Sequence, residues 1–319
     1  MTKTLDTLTH SRMSCFKTCQ RKHYLSYELG MRRDRDAQPL RMGSAFHEGI
    51  DLLKQGKTLA DACLMIRQNY ADMPTWADID EWLTECEIVL RLVSGWEWRW
   101  QDDEIEVIAT EQTFSIPLIN PATGASSKTW RLRGKLDGII KLGDGRLAVM
   151  EHKTTGDELS PESNYWRRLK LDQQISLYYL AAKSLGHDVQ TVIYDVARKP
   201  SIRPKLIGKG DDKRRETPTE YGERFSGDIA DRPDFYFARR EIPRLDSDLL
   251  EFQYELWQIA QQMQDARRLG RNFRNTSACV MFGQCQYLNV CDLKLDGSGD
   301  APTGFVYVSN VNPELETES

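Results

Sequence analysis

Gly134-Lys135-Leu136-Asp137-Gly138-Ile139-Ile140-Lys141-Leu142-Gly143-Asp144-Gly145-Arg146-Leu147-Ala148-Val149-Met150-Glu151-His152-Lys153 reads as two strands joined by a tight turn. Leu132 to Leu142 and Leu147 to Lys153 have strand composition, and Gly143-Asp144-Gly145 offers the positive-φ residues that a hairpin needs. Side chains alternate along a strand, so Glu151 and Lys153 point to one face, and Asp137 can reach that face from the neighbouring strand. Two carboxylates and an amine then meet on one sheet. That donor set suits a hard divalent cation, because magnesium and manganese prefer carboxylate oxygen and water, while a nearby lysine can hold a phosphate or orient an attacking water.

The arrangement resembles the PD-(D/E)XK nuclease superfamily, in which an Asp and then an acidic-x-Lys triplet on the next strand form the catalytic core. Leu136 stands where the family motif has proline, a change that removes no ligand. Further stretches resemble the RecB-like branch and follow its order. Gly43-Ser-Ala-Phe-His47 matches a G-x-x-x-H segment at the start of a helix expected to run to about Gln55, and the resemblance implies that His47 is a metal ligand. Gln174 and Tyr178 are four apart on an amphipathic helix, hence on one face. They resemble the branch's Q-x-x-x-Y motif, where an amide can bond phosphate or water and a tyrosine can contact the nucleic-acid backbone or stack on a base.

Seven cysteines occupy positions 15, 19, 63, 86, 279, 285 and 291. The opening residues lack the apolar core of a signal peptide, so the expected location is the cytoplasm, where clustered thiols bind metal more often than they form disulfides. The spacing does not fit a usual zinc ribbon. Several RecB-like nucleases bind an iron-sulfur cluster through one N-terminal and three C-terminal cysteines, and Cys19 with Cys279, Cys285 and Cys291 resembles that layout, implying a 4Fe-4S group. Cys15 could replace Cys19, and zinc is the competing metal. Cys63 and Cys86 sit in apolar helical patterns and read as core residues.

Composition is compatible with this reading. The 319 residues carry a formal charge of −5, with 40% hydrophobic and 29% charged residues, and no apolar run approaches membrane-spanning length. A net acidic charge speaks against a nucleic-acid coating protein, whereas local basic patches can still contact phosphate. Arg167 and Arg168, just ahead of the Gln174 helix, are the strongest candidates for that contact.

The expected fold is α/β: a mixed sheet flanked by helices, with a restriction-endonuclease-like core and a helical N-terminal region. Residues 1–104 read as that helical region, contributing His47 and Cys19, and 105–198 as the nuclease core. Residues 199–270 read as a mobile insertion, a strand starting at Asp234 and a long helix from Asp246 to Leu269. The cysteine segment spans 271–292, and 293–319 reads as a flexible tail. Glu111, on the first core strand, is a weaker acidic candidate near the metal.

The resemblance implies a mechanism in which Asp137, Glu151, His47 and the carbonyl of His152 bind Mg2+ or Mn2+, Lys153 positions the nucleophile, and Gln174 and Tyr178 hold the strand. The histidine implies action on DNA ends and a tilt toward manganese. The layout is especially similar to phage and prophage nucleases, to CRISPR adaptation nucleases and to the AddB nuclease domain. With no G-x-x-x-x-G-K-[ST] loop in the chain, any motor must come from a recombination or helicase partner. The alternative reading is a DNA-end-binding or structural subunit with a cysteine metal staple.

Overall fold

The computed structural model describes residues 5–35, 37–209, 212–281, 283–295 and 299–315. The chain opens with β1 (Asp6–Leu8), α1 (His10–Thr18), α2 (Gln20–His23), a π-helical turn and β2 (Met31–Arg33). Three helices follow: α3 (Gln38–Lys54), α4 (Leu59–Asn69) and α5 (Ile79–Trp100). Each starts where local chemistry allows it. Pro39 lies in the first turn of α3, where its missing N–H costs nothing. Thr58 and Asp61 form a capping box on α4, and Asp78 caps α5.

The sheet strands are β3 (Glu106–Ile119), β4 (Ser126–Lys141) and β5 (Leu147–Thr155), then β6 (Val189–Arg198) after α6 (Asn164–Leu169) and α7 (Gln173–Ser184). A small hairpin, β7 (Leu206–Ile207) with β8 (Arg214–Arg215), leads to α8 (Pro218–Asp231) and α9 (Pro233–Tyr236). The chain continues through β9 (Phe237–Ile242) and α10 (Asp246–Leu269), which closes on Gly270 in the left-handed region at φ 61°. Last come α11 (Leu288–Asp292) and β10 (Phe305–Tyr307).

The central sheet has the order β1-β4-β5-β6-β9, with β3 also on β4. It is mixed: β1 on β4 and β5 on β6 are parallel, while β3 on β4, β4 on β5 and β6 on β9 are antiparallel. Helices cover both faces. On one, Val149, Val192 and Tyr194 pack with Ile175 and Leu177 of α7 and Phe252 and Leu256 of α10. On the other, α3, α4, α5 and α8 share a core with Ala197 and Phe237. The expected α/β architecture is therefore present.

Four local expectations change. The helix expected to start at Gly43 begins at Gln38, with Pro39 in its first turn, so His47 lies in its middle. The strand read from Asp234 begins at Phe237, because Pro233 starts a short helix that holds Asp234 to Tyr236. Of the two turn glycines only Gly145 takes a positive φ, 87°, and one such residue suffices because its N–H bonds to the Leu142 carbonyl at 2.8 Å. Part of the segment read as a flexible tail is ordered: β10 pairs antiparallel with β2, burying Phe305 against Tyr287.

The long strand β4 creates the opening that matters. β3 occupies one edge along nearly its whole length. On the other edge, β1 pairs only with residues 130–132 and β5 only with 138–141, which leaves Asp137 where the edge forks. At this level both β3 and β4 reverse their sidedness. Trp130, Leu132 and Leu136 face the α7 core, and so does Ile139, whereas Ile140 faces the opposite side. On β3 the reversal falls at Glu111, a non-glycine at φ 44°.

Candidate active site

The fork gathers side chains from β4, β5, α3 and α7. Asp137 Oδ2 accepts a hydrogen bond from the backbone N–H of His152 at 2.9 Å, tying the first strand to the second. His47, on α3, brings Nδ1 to 3.5 Å from the same oxygen. Glu151 is ion-paired to Lys153, and Lys153 Nζ also donates to Gln174 Oε1 at 3.0 Å. Gln174 Nε2 in turn donates to the Tyr178 hydroxyl at 2.6 Å. Asp172 caps α7 by accepting from the Gln174 N–H at 2.8 Å, which fixes where that side chain starts.

The electrostatics are those of two carboxylates competing for cations in a buried place. Burial works to raise the Asp137 pKa, but His47, His152 and Lys153 outweigh it and hold this group below the ordinary carboxylate value. Glu151 has no such surplus. Desolvation and the neighbouring Asp137 charge push it up to about 8 despite Lys153, and its Oε2 is buried without a hydrogen-bond donor. Desolvation lowers the His47 pKa against the pull of Asp137. Lys153 resists desolvation because Glu151 and Asp137 hold its proton, so it stays cationic.

The sequence profile of the PD-(D/E)XK nuclease superfamily matches residues 7–292, a span that contains all of β3, β4, β5, α3 and α7. The chain belongs to that superfamily. Two solved structures are similar to this nuclease over most of their length. One is a candidate exonuclease from Eubacterium rectale, with 11% identity and a TM-score of 0.49 over 91% of this chain and 93% of that one. The other is SSO0001, with 14% identity and a TM-score of 0.35 over 92% and 90%. No curated protein matches the sequence.

In this nuclease Tyr178 is buried behind Gln174 and is not presented to a nucleic acid. The His152 imidazole is likewise buried, on the face opposite Glu151, so toward Glu151 and Lys153 it offers only its backbone. Glu111 bonds Lys135 at 2.5 Å and lies beside Asp137 in register. Arg167 lies 3.9 Å from Glu162 and Arg168 pairs with Asp157, all largely exposed. The Arg239 and Arg267 guanidiniums serve internal ion pairs, with Asp195 and with Glu28.

Sequence reading missed two groups on α3, Asp51 and Lys54. Their signal was available: 47, 51 and 54 fall at i, i+4 and i+7, one face of one helix. It also missed His10, whose Nε2 lies 3.7 Å from Asp172 Oδ1 at the rim.

The cysteines converge without closing. Cys19 Sγ accepts from the Asn275 N–H at 3.4 Å, and Cys285 N–H donates to the Cys279 carbonyl at 2.9 Å. Desolvation and the charges of Cys285, Cys19 and Cys291 raise the Cys279 pKa, so the four thiols share one neighbourhood. Among the described residues no group of three or more His, Cys, Asp or Glu has the geometry of a formed metal site. Burial pushes the Cys15 thiol up to about 11. Cys63 and Cys86 pack in the α4–α5 core.

Proposed function

We propose that this protein is a RecB-like nuclease that hydrolyses phosphodiester bonds from DNA ends with Mg2+ or Mn2+, and that Cys19, Cys279, Cys285 and Cys291 hold an iron-sulfur cluster. The observation that carries the reading is the continuous run of contacts from Glu151 through Lys153 and Gln174 to Tyr178, beside Asp137 and His47, where two strands part.

In donor chemistry, though not as a closed coordination shell, these residues suit a divalent cation. A buried carboxylate, Glu151, lies near a half-buried one, Asp137, and Glu151 keeps an oxygen without a donor, a charge arrangement that a cation relieves. Asp137, Glu151, His47 and the His152 carbonyl would hold it. When bound, such an ion polarises the phosphate and makes water acidic enough to serve as nucleophile near neutral pH. The Lys153 ammonium, fixed between Glu151 and Gln174, orients the attacking water and offsets charge that grows on the phosphate. Gln174 needs its own amide fixed to do this, and Tyr178 supplies that by accepting from Nε2, so Oε1 turns toward Lys153.

His47 at the fork supports action on ends, and manganese suits a site with an imidazole ligand better than magnesium does. The setting proposed for it is phage or bacterial recombination or repair, with a helicase or recombination partner supplying the ends. The test is cleavage of end-labelled linear and covalently closed circular DNA, single- and double-stranded, with Mg2+ or Mn2+. Linear DNA should shorten progressively while circles persist. Efficient cutting of circles at matched metal would make the protein an endonuclease, and silence on every substrate would leave it an end-binding subunit.

A further inference from the structure

The ladder between β4 and β5 ends at the Gly138–Met150 rung. One residue beyond, the carbonyl of Asp137 accepts a hydrogen bond from Lys54 Nζ at 3.1 Å. The same nitrogen lies 3.2 Å from Nε2 of His152. Lys54, at the end of α3, therefore touches both strands at the point where they separate. Its side chain is 4% exposed, and its nearest carboxylate, Asp51, is 4.0 Å away, too far for a tight pair.

The fit around this amine is close. A Cβ on Gly138 would stand 2.9 Å from Lys54 Nζ and 3.2 Å from the Ala109 carbonyl, so glycine is what lets the lysine in. Behind it, His152 Nδ1 lies 3.1 Å from Asp195 Oδ2. That oxygen is itself anchored by Trp96 Nε1 at 2.7 Å and Arg239 Nη2 at 3.2 Å. Donation from Lys54 requires a lone pair on Nε2, which puts the ring proton on Nδ1, close to Asp195 but outside hydrogen-bond geometry. Burying an ammonium is costly unless its bonds are needed where it sits. Here they go to the main chain of Asp137 and to the residue between Glu151 and Lys153.

We propose that Lys54 is a positioning residue of the nuclease centre: it sets the separation of the strands carrying Asp137 and Glu151, and hence the spacing of the two carboxylates. Lys54 acts through the Asp137 carbonyl and the His152 ring, from the side of the sheet facing α3 and α5. The inference rests on the reading of Asp137 and Glu151 as ligands of a divalent ion. It adds to that reading a dependence of metal affinity on a residue that contacts no metal.

The experiment is isothermal titration of the full chain with Mn2+, with thermal melting alongside, for the wild type, Asp137→Ala, Lys54→Met and Gly138→Ala. The wild type should bind and Asp137→Ala should not. Lys54→Met should bind about 10–100-fold more weakly, the range found when groups that orient metal ligands are removed. Wild-type Mn2+ affinity in folded Lys54→Met overturns the proposal, whatever its melting temperature. If Lys54→Met does not fold, Gly138→Ala decides, since it crowds the ammonium without removing it. Weakened affinity there supports the positioning role, and unchanged affinity overturns it. A wild type that does not bind Mn2+, or an Asp137→Ala variant that binds like the wild type, overturns the metal reading of the fork and this proposal with it.

Discussion

Lys153 and Gln174 are joined by a 3.0 Å hydrogen bond from the ammonium to the amide oxygen, which couples β5 to the first turn of α7. The lysine thus has two fixed partners, Glu151 and Gln174, and little freedom to wander. Gln174→Ala should leave the ammonium held by Glu151 alone. A displaced group at a reacting centre costs on the order of 10–100-fold, so single-turnover cleavage should fall by that factor while DNA affinity changes little. A loss smaller than threefold would mean that Gln174 does not position Lys153.

Asp137→Ala, Glu151→Ala and Lys153→Ala should each abolish cleavage. Removing a metal ligand or the cation beside the phosphate takes several kcal/mol from transition-state stabilisation, roughly a thousandfold or more in rate. Circular dichroism should show folded protein in each case. A tenth of wild-type activity in Glu151→Ala would refute the assignment.

Anaerobically purified protein should be brown, with broad absorption near ~400 nm from thiolate-bound iron. Cys285→Ser should lose the colour and much thermal stability together, because metal binding and folding of a cysteine site are linked. Cys63→Ser, in the α4–α5 core, should keep the colour. Colourless, stable protein with one zinc would replace iron-sulfur by a zinc staple.

Acid should destabilise the N-terminal region through His23. Its Nε2 accepts from Arg12 Nε at 3.2 Å, and desolvation together with the Arg12 charge lowers its pKa from 6.5 to about 3. The unfolded chain therefore binds a proton between those values that the folded chain refuses, so this contribution is whole above pH 6.5 and is lost as pH falls toward 3. His23→Gln keeps an acceptor but cannot titrate. The stability difference between wild type and His23→Gln should rise with pH between 4 and 6 by up to roughly 1.4 kcal/mol per unit. A pH-independent difference would show that His23 titrates normally.

Much of this molecule was legible from local pattern. Thr58 and Asp78 mark helix starts because caps act within a turn, and α10 has the bounds its periodicity suggests. The hairpin of β4 and β5 was readable from two apolar runs around a glycine turn. Less visible were Lys54 and Asp51, whose helical spacing was present but whose target was not. The pairing of His152 with Asp195 depends on the parallel register of β5 on β6, which no short-range signal encodes.

What the sequence determined by itself was the set of chemical groups and the strands that carry them: Asp137 on one, Glu151 and Lys153 two apart on the next, Gln174 and Tyr178 one helical turn apart. What only the tertiary structure decided was how Asp137 meets them. Alternation with period two assumes an unbroken strand, but β3 and β4 reverse sides together at Glu111 and Asp137. The break arises from long-range pairing, with β3 along one edge of β4, β1 and β5 sharing the other, and a buried lysine from α3 in the fork between them. A local pattern carries no information about which edges are occupied, and edge occupancy is what bends the strand and brings its aspartate to the site.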